Sequence, residues 1–193
     1  MPIEQPWLER IFGRLYDTVT IPPGPFTNKI VMFGNPAGSY FNGRTRTLAD
    51  TNMVRSFCLP VPMRFDAKRI RMEIVHHFSY CDDLEKFKKN CCLDFSISGK
   101  NYFSAPVSTV LLEDWIRVAI QRMGTNQAEQ IGPYLDEALA KGTLGVSALE
   151  QGNFLIEHDQ DFRVVVHAPD SFILVQPLIF RVFLEGPLYR SLN

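Results

Sequence analysis

The chain has 193 residues, of which 46% are apolar and 21% charged, and its formal net charge is −1. These values are ordinary for a globular domain, and a net charge near zero gives no electrostatic basis for direct binding to nucleic acid. The four cysteines do not form the pattern of a disulfide scaffold, and no apolar run is long enough to predict a membrane-spanning helix.

The first predicted element is an amphipathic helix over residues 6–17, PWLERIFGRLYD. Its large apolar side chains recur at helical spacing on one broad face. They are the candidate interface residues of the chain, namely Trp7, Leu8, Ile11, Phe12, Leu15 and Tyr16. Aromatic residues are enriched at interface cores. The helix therefore either covers an edge of its own domain, docks on a neighbouring subunit, or lies on a membrane surface.

A proline-rich segment follows this helix. Pro22, Pro23 and Pro25 give the chain a stiff exit towards the rest of the molecule. We therefore predict that residues 1–25 form an arm and that residues 26–193 form a single domain. On this view, deletion of residues 1–17 leaves a folded domain and weakens only its assembly.

From residue 29 onwards the apolar pattern changes to the alternation that is typical of strands. Residues 29–33 form a short apolar run, and residues 81–90 are predicted to form one or two helical turns between two longer strands. The side chains predicted to face inward in those two strands are Ile70, Met72, Ile74 and Phe78, and then Cys91, Leu93, Phe95 and Ile97.

Residues 113–141 interrupt the strands with helical spacing, which predicts a helical insertion that ends at Gly142. The last forty residues return to four apolar strand segments. The side chains predicted to face inward there are Phe162, Val164 and Val166, and then Leu178, Phe180, Val182 and Leu184. Such patterns indicate that the chain continues its β-structure to the C-terminal end.

Together these segments predict a mainly β protein. The chain offers roughly eight strands and no alternation of strands with helices, which excludes a doubly wound parallel sheet. The predicted fold class is an antiparallel β-sandwich, with an N-terminal amphipathic helix and a helical insertion between strands.

The sequence of one segment nearly matches the motif of a phosphate-binding loop. Residues 38–45 read GSYFNGRT, which differs from the G-x-x-x-x-G-K-[ST] motif only because Arg44 stands in place of the lysine. The residues that follow carry no helical stripe, although the motif requires a strand-to-helix turn. We therefore predict a surface loop between strands.

Other polar clusters do not predict a metal or catalytic site. His76 and His77 are adjacent in a predicted strand and point to opposite faces, and Cys81, Cys91 and Cys92 lack the spacing of a zinc knuckle. Leu149 replaces the final glycine of a nucleophile elbow in GVSAL. The acidic stretch EHDQD, residues 157–161, is interpreted as a solvated hairpin turn. No catalytic, cofactor-binding or metal-binding residue is predicted.

Two segments of the chain resemble structural proteins of bacteriophages. Residues 43–74, from GRTRTLADTN through LPVPMRF to the strand KRIRMEI, are similar to the entry into the first long strand of such proteins. Residues 162–192 are similar to their closing strands. The resemblance implies a jelly-roll of two four-stranded sheets and a role in building or decorating a capsid. The implied partners are copies of the chain and other virion proteins, the implied location is the virion after synthesis in the host cytoplasm, and no cofactor is implied.

Two other classes of function stay open. One is a receptor-binding or spike component of a virion, for which residues 121–152 would supply the variable loops. The other is an enzyme or ligand-binding module on the same sandwich. That module requires a cleft lined by polar and aromatic side chains, and the sequence alone does not bring such a set together.

Overall fold

A computed structural model describes residues 8–27, 29–75, 81–111, 147–148 and 154–191. The predicted helical insertion over residues 113–141 lies outside the described residues, as do His76, His77 and Phe78. Within this part of the chain there are fourteen strands and two helices.

The first seven strands precede the first helix. They are β1 (Leu8–Ile21), β2 (Gly24–Phe26), β3 (Lys29–Met32), β4 (Tyr40–Phe41), β5 (Arg44–Thr45), β6 (Arg64–Ala67) and β7 (Arg69–Ile74). The helices are α1 (Cys81–Asn90) and α2 (Val107–Val110). The other strands are β8 (Cys92–Ile97), β9 (Lys100–Pro106), β10 (Ser147–Ala148), β11 (Phe154–Ile156), β12 (Phe162–His167), β13 (Phe172–Leu174) and β14 (Leu178–Ser191).

The strands form two main sheets. The larger sheet has the order β10-β7-β14-β6-β11, and β1 also pairs with β14. The second sheet has the order β3-β12-β8-β9, while β13 pairs with β2 and β4 with β5. Every pairing between these strands is antiparallel. The predicted class, a mainly β protein with antiparallel sheets, is therefore confirmed.

Both main sheets contribute side chains to one hydrophobic core. The predicted inward faces that lie among the described residues are confirmed, because alternate residues of β7, β8, β12 and β14 are buried. An edge contact between the rings of Phe95 and Phe154, 6.3 Å apart, joins the second sheet to β11 of the first. Burial of this apolar surface is the main favourable term in the stability of the fold.

Helix α1 confirms the helical turns predicted between β7 and β8. The ring of Phe87 is fully buried and lies 5.4 Å from the ring of Phe180 in β14. The carboxylate of Asp83, also buried, accepts the backbone amides of Val175 and Gln176 at 2.7 and 2.9 Å. Helix α1 is thereby fixed to the segment that precedes β14. No helix among the described residues has the length and apolar character needed to cross a membrane.

The predicted N-terminal helix is wrong for the described residues. Residues 8–21 form the strand β1, which pairs in continuous register with the whole of β14. The apolar residues have helical spacing, but a strand forms instead. β14 offers a partner strand of equal length, and the β-branched run from Thr18 to Ile21 favours strand. Gly13 also weakens a helix by about 1 kcal/mol relative to alanine. The inward face of β1 carries Leu15, Val19 and Ile21 into the core.

Two glycines lie opposite each other in this strand pair, Gly13 and Gly186. A Cβ atom at Gly13 would lie 2.9 Å from the Cβ of Leu188, and one at Gly186 would lie 2.0 Å from the carbonyl oxygen of Asp66. Both positions therefore require glycine, because neighbouring atoms occupy the space of a side chain. This close approach brings the last part of β14 against β6, where Leu188 pairs with Phe65.

Candidate functional site

The described residues cover only part of the outer edge of β1. Within the covered part, the amide of Tyr16 donates to Oδ1 of Asn52 at 2.9 Å and the amide of Thr18 donates to the carbonyl of Asp50 at 2.8 Å. The carbonyl of Arg14 accepts from Nδ2 of Asn52 at 2.6 Å. Even-numbered residues of β1 therefore direct their backbone groups away from β14.

The same direction holds for the first part of the strand, because the register with β14 has no bulge and backbone direction repeats every two residues. Arg10 and Phe12 thus present their amides and carbonyls outward. No described residue bonds to them on that side. We call residues 8–13 the open edge.

The open edge also carries exposed apolar surface. The side chain of Phe12 is 66% exposed, and Ile11 is half-buried. Together with Arg10 and Pro187 they line a shallow groove of about 330 Å³. An unpaired strand edge next to an exposed aromatic ring is a surface suited to pairing with another chain.

A buried ion pair holds the segment that covers the rest of the edge. Asp17 faces inward from β1 and is 1% exposed, and its carboxylate bonds to the guanidinium of Arg46, whose side chain is 3% exposed. The amide of Phe33 donates to the same carboxylate at 2.6 Å. Arg46 also donates to the carbonyl of Thr18 at 2.8 Å. Residues 46–52 are thereby fixed against β1.

The buried environment of Asp17 raises the pKa of its carboxyl group. Burial raises the pKa of the carboxyl to about 6, because the charged form loses its hydration, and this effect exceeds the opposing attraction of Arg46 and the amide of Phe33. Sequence reasoning did not find this pair, since Asp17 lay in a predicted helix. An aspartate in the middle of an alternating strand face is the signal that would have found it.

The six candidate interface residues fall in different environments. Leu15 is 5% exposed and belongs to the core, so it is not available to a partner. Tyr16 is half-buried, and its ring lies 6.2 Å from that of Phe183. Ile11 and Phe12 lie at the open edge. Trp7 lies outside the described residues, and only the backbone of Leu8 is described.

A second feature is a cleft of about 580 Å³ at the proline-rich turn after β1. The residues that line it are Val19, Thr20, Ile21, Pro22, Pro23, Pro25, Phe26, Thr27, Lys29, Ile30, Val31, Gly34, Asn35, Phe41, Asn42 and Phe57. The cleft therefore combines three phenylalanine residues with hydroxyl and amide groups. This is the combination that the ligand-binding alternative requires.

The segment that resembles a phosphate-binding loop is a β-hairpin. Strands β4 and β5 pair across the turn Asn42–Gly43, whose φ angles are 50° and 81°, as expected for an Asn-Gly hairpin turn. Arg44 pairs with Asp50 through both of its terminal nitrogens. The prediction of a surface loop is confirmed.

The acidic stretch 157–161 is a turn, but it does not form a hairpin. It joins β11 to β12, which belong to different sheets, so the predicted hairpin is wrong. Its carboxylates pair with arginines at the surface, as in the 2.7 Å contact between Glu157 and Arg64. Across the described ranges, His, Cys, Asp and Glu side chains form no group of three able to hold a metal ion.

The buried cysteine has the character of a core residue. Burial raises the pKa of the Cys91 thiol to about 12, with a smaller contribution from neighbouring Cys92. The thiol is therefore protonated at neutral pH and is a poor nucleophile.

Comparison with known proteins gives no family for the chain. No family model matches it, and no match was found among curated proteins or solved structures.

Proposed function

We propose that the chain is a structural subunit that works by self-association and by contact with other virion proteins, as a capsid or capsid-associated protein. The observation that carries the proposal is the open edge, where the backbone groups of Arg10 and Phe12 have no partner among the described residues and lie beside the exposed ring of Phe12. The virion as the setting, and a jelly-roll order of the strands, rest on the resemblance of residues 43–74 and 162–192 to bacteriophage structural proteins.

Pairing at the open edge has a clear driving force. An added strand would satisfy the amides and carbonyls that now face outward, and it would bury the ring of Phe12. Full burial of a phenylalanine side chain stabilises by roughly 1.5–3 kcal/mol. Exposed edges of this kind promote association unless charge or a covering segment blocks them.

The proposal predicts a molar mass that rises with concentration, measured by size exclusion with light scattering. Phe12→Asp is expected to shift this rise to at least tenfold higher concentration, because it places a charge at the interface. Ile173→Asp is the matched control, since Ile173 is 64% exposed but lies on β13, far along the chain from β1.

Both variants are expected to melt close to the unsubstituted chain, as exposed positions tolerate substitution. Equal loss of association in the two variants would contradict a role for the open edge. A single monomer mass at every concentration would contradict self-association.

A second candidate function is binding of a neutral saccharide in the cleft. Thr20 and Asn35 line it, and their side chains have no hydrogen-bond partner among the described residues. They lie in the same cleft as the rings of Phe41 and Phe57. Hydroxyl and amide groups beside aromatic rings suit a ligand with polar edges and apolar faces.

Saturation-transfer NMR with a panel of neutral oligosaccharides tests this candidate. We expect signals from a bound sugar that fall severalfold in Thr20→Val, which removes a hydroxyl and keeps the shape of the side chain. Thr45→Val, at the exposed hairpin, is expected to leave the signals unchanged. If no sugar in the panel gives a signal, saccharide binding is ruled out as the role of the cleft.

A further inference from the structure

We infer that two copies of the chain pair through their open edges, antiparallel, with Ile11 of one copy opposite Ile11 of the other across a two-fold axis. The inference rests on the proposed self-association and specifies its first contact. It follows from the direction of the backbone groups, the extent of the covering segment and the side chains at the edge.

Backbone direction restricts the register. Only even-numbered residues of β1 present hydrogen-bonding groups outward, as the bonds of Tyr16 and Thr18 to residues 50–52 establish. In an antiparallel pair, opposite residues either both bond to the partner strand or both do not. Even residues must therefore lie opposite even residues, which requires the two-fold axis to fall at a residue of β1 rather than between two residues.

The covering segment, residues 46–52, excludes a register centred at the C-terminal end of the open edge. The carbonyl of Arg14 is already bonded to Asn52, and the edge at Tyr16 is occupied by the same residue. An axis at Gly13 would place Arg10 opposite Tyr16 and would require the partner to displace residues 50–52. Such a register conflicts with the fold of a single copy.

An axis at residue 8 would leave Leu8 as the only residue of the open edge opposite another residue of that edge, so four registers remain, and charge excludes three of them. An axis at residue 12 places Arg10 opposite Arg14, one at residue 10 places Arg10 opposite itself, and one at residue 9 places Glu9 opposite itself. Like charges directly opposite each other destabilise a strand pair. The register centred on Ile11 avoids all three of these pairings.

The same register makes favourable contacts. It places Arg10 opposite Phe12 of the other copy, twice by symmetry and on the same face of the joined sheet. A guanidinium within about 6 Å of an aromatic ring is attracted to it. On the other face, Ile11 meets its symmetry equivalent at a non-hydrogen-bonded position, where side chains approach most closely. Glu9 meets Gly13 and keeps its own 2.9 Å bond to Arg190 within each copy.

Cysteine cross-linking tests the register. At a non-hydrogen-bonded antiparallel pair the Cα atoms are about 4.5 Å apart, within the range that a disulfide bridges. Under mild oxidation we expect Ile11→Cys to form a covalent dimer linked between the two introduced cysteines. Glu9→Cys is the matched control on the same face, because its symmetry equivalents would be offset by four residues, about 13 Å along the strand.

Peptide mapping separates these links from any that involve Cys58, Cys91 or Cys92, the cysteines free in the described residues. Residue-resolved hydrogen exchange on the unsubstituted chain gives a second measurement. The amides of Arg10 and Phe12 are expected to exchange at least tenfold more slowly as the chain is concentrated, since they gain partners only in the pair.

The outcomes distinguish the inference from the proposed function. A mass that rises with concentration, together with no cross-link at Ile11→Cys and no added protection of Arg10 and Phe12, would overturn the register and leave self-association standing. A cross-link that forms preferentially at Glu9→Cys would also overturn it. A constant monomer mass would overturn both.

Discussion

Deletion of residues 1–17 is expected to abolish cooperative folding. The deletion removes the pairing of β1 with β14 from Leu8 to Asp17 and takes the buried side chain of Leu15 out of the core. Loss of one buried leucine side chain alone costs about 2–5 kcal/mol. It also leaves the guanidinium of Arg46 buried without its carboxylate. Since a typical domain is stable by only about 5–15 kcal/mol, these losses together are large enough to unfold it.

Far-UV circular dichroism during a thermal scan checks this result. The truncated chain is expected to show no cooperative transition, while Phe12→Ser, which changes an exposed side chain in the same strand, is expected to keep the transition within a few degrees. A truncated chain with a sharp transition near that of the full chain would show that β1 is dispensable. It would restore the view that residues 1–17 form an arm.

The contrast between β1 and the later strands shows what the sequence could predict. In β7 and β8, inward positions are apolar and their neighbours are polar or small, so the period of two is visible without a structure. In β12 and β14 the alternation is weaker, because Val165, Ile179 and Phe183 lie between inward positions, but Arg163 and Arg181 still mark the other face. In β1 the inward face includes Asp17 and Gly13, while the outward face includes Phe12 and Tyr16. The apolar residues consequently fit a helix better than a strand. Only the pairing with β14, which is distant in sequence, decides that these residues form a strand and not a helix.

The sequence could predict only part of the candidate site. Aromatic residues near the N-terminal end predicted an interaction surface, which stays a prediction, and Ile11 and Phe12 of that set lie at the open edge. Arg10 and Pro187 could not be assigned to it, because a helix would place Arg10 on the opposite face and Pro187 lies at the other end of the chain. The cleft had no local signal at all, since its walls come from β1, the proline turn, β3 and the hairpin loop.

The pair of Asp17 and Arg46 is expected to make the stability of the fold depend on pH. The carboxyl of Asp17 has a pKa of about 6 in the folded chain and an ordinary value of 3.8. Between these values the folded state holds a proton that the unfolded state has released. The free energy of unfolding therefore falls as pH rises from 3.8 to about 6, by roughly 3 kcal/mol from this group, and its contribution is constant above that range.

Substitution Arg46→Met is expected to enlarge this dependence. Removal of the guanidinium withdraws the attraction that opposes the burial of Asp17, so the pKa of that carboxyl should rise further. At pH 8 the variant would hold an unpaired buried carboxylate, at a cost of about 3–5 kcal/mol. At pH 5 the carboxyl is protonated in the folded variant, and the loss should be clearly smaller.

Urea unfolding at pH 5 and pH 8 measures both effects. Arg55→Met is the matched control, because Arg55 and Asp159 form an ion pair in which both side chains are about half exposed, and such pairs contribute about 1 kcal/mol or less. It is expected to change stability little and equally at the two values of pH. A loss in Arg46→Met that is the same at pH 5 and pH 8 would show that Arg46 acts through its bonds to the carbonyls of Thr18 and Asp50. In that case the charge of Asp17 would have no part in holding residues 46–52 against β1, and the boundary of the open edge would depend on the bonds of Arg46 and Asn52 to the backbone of β1.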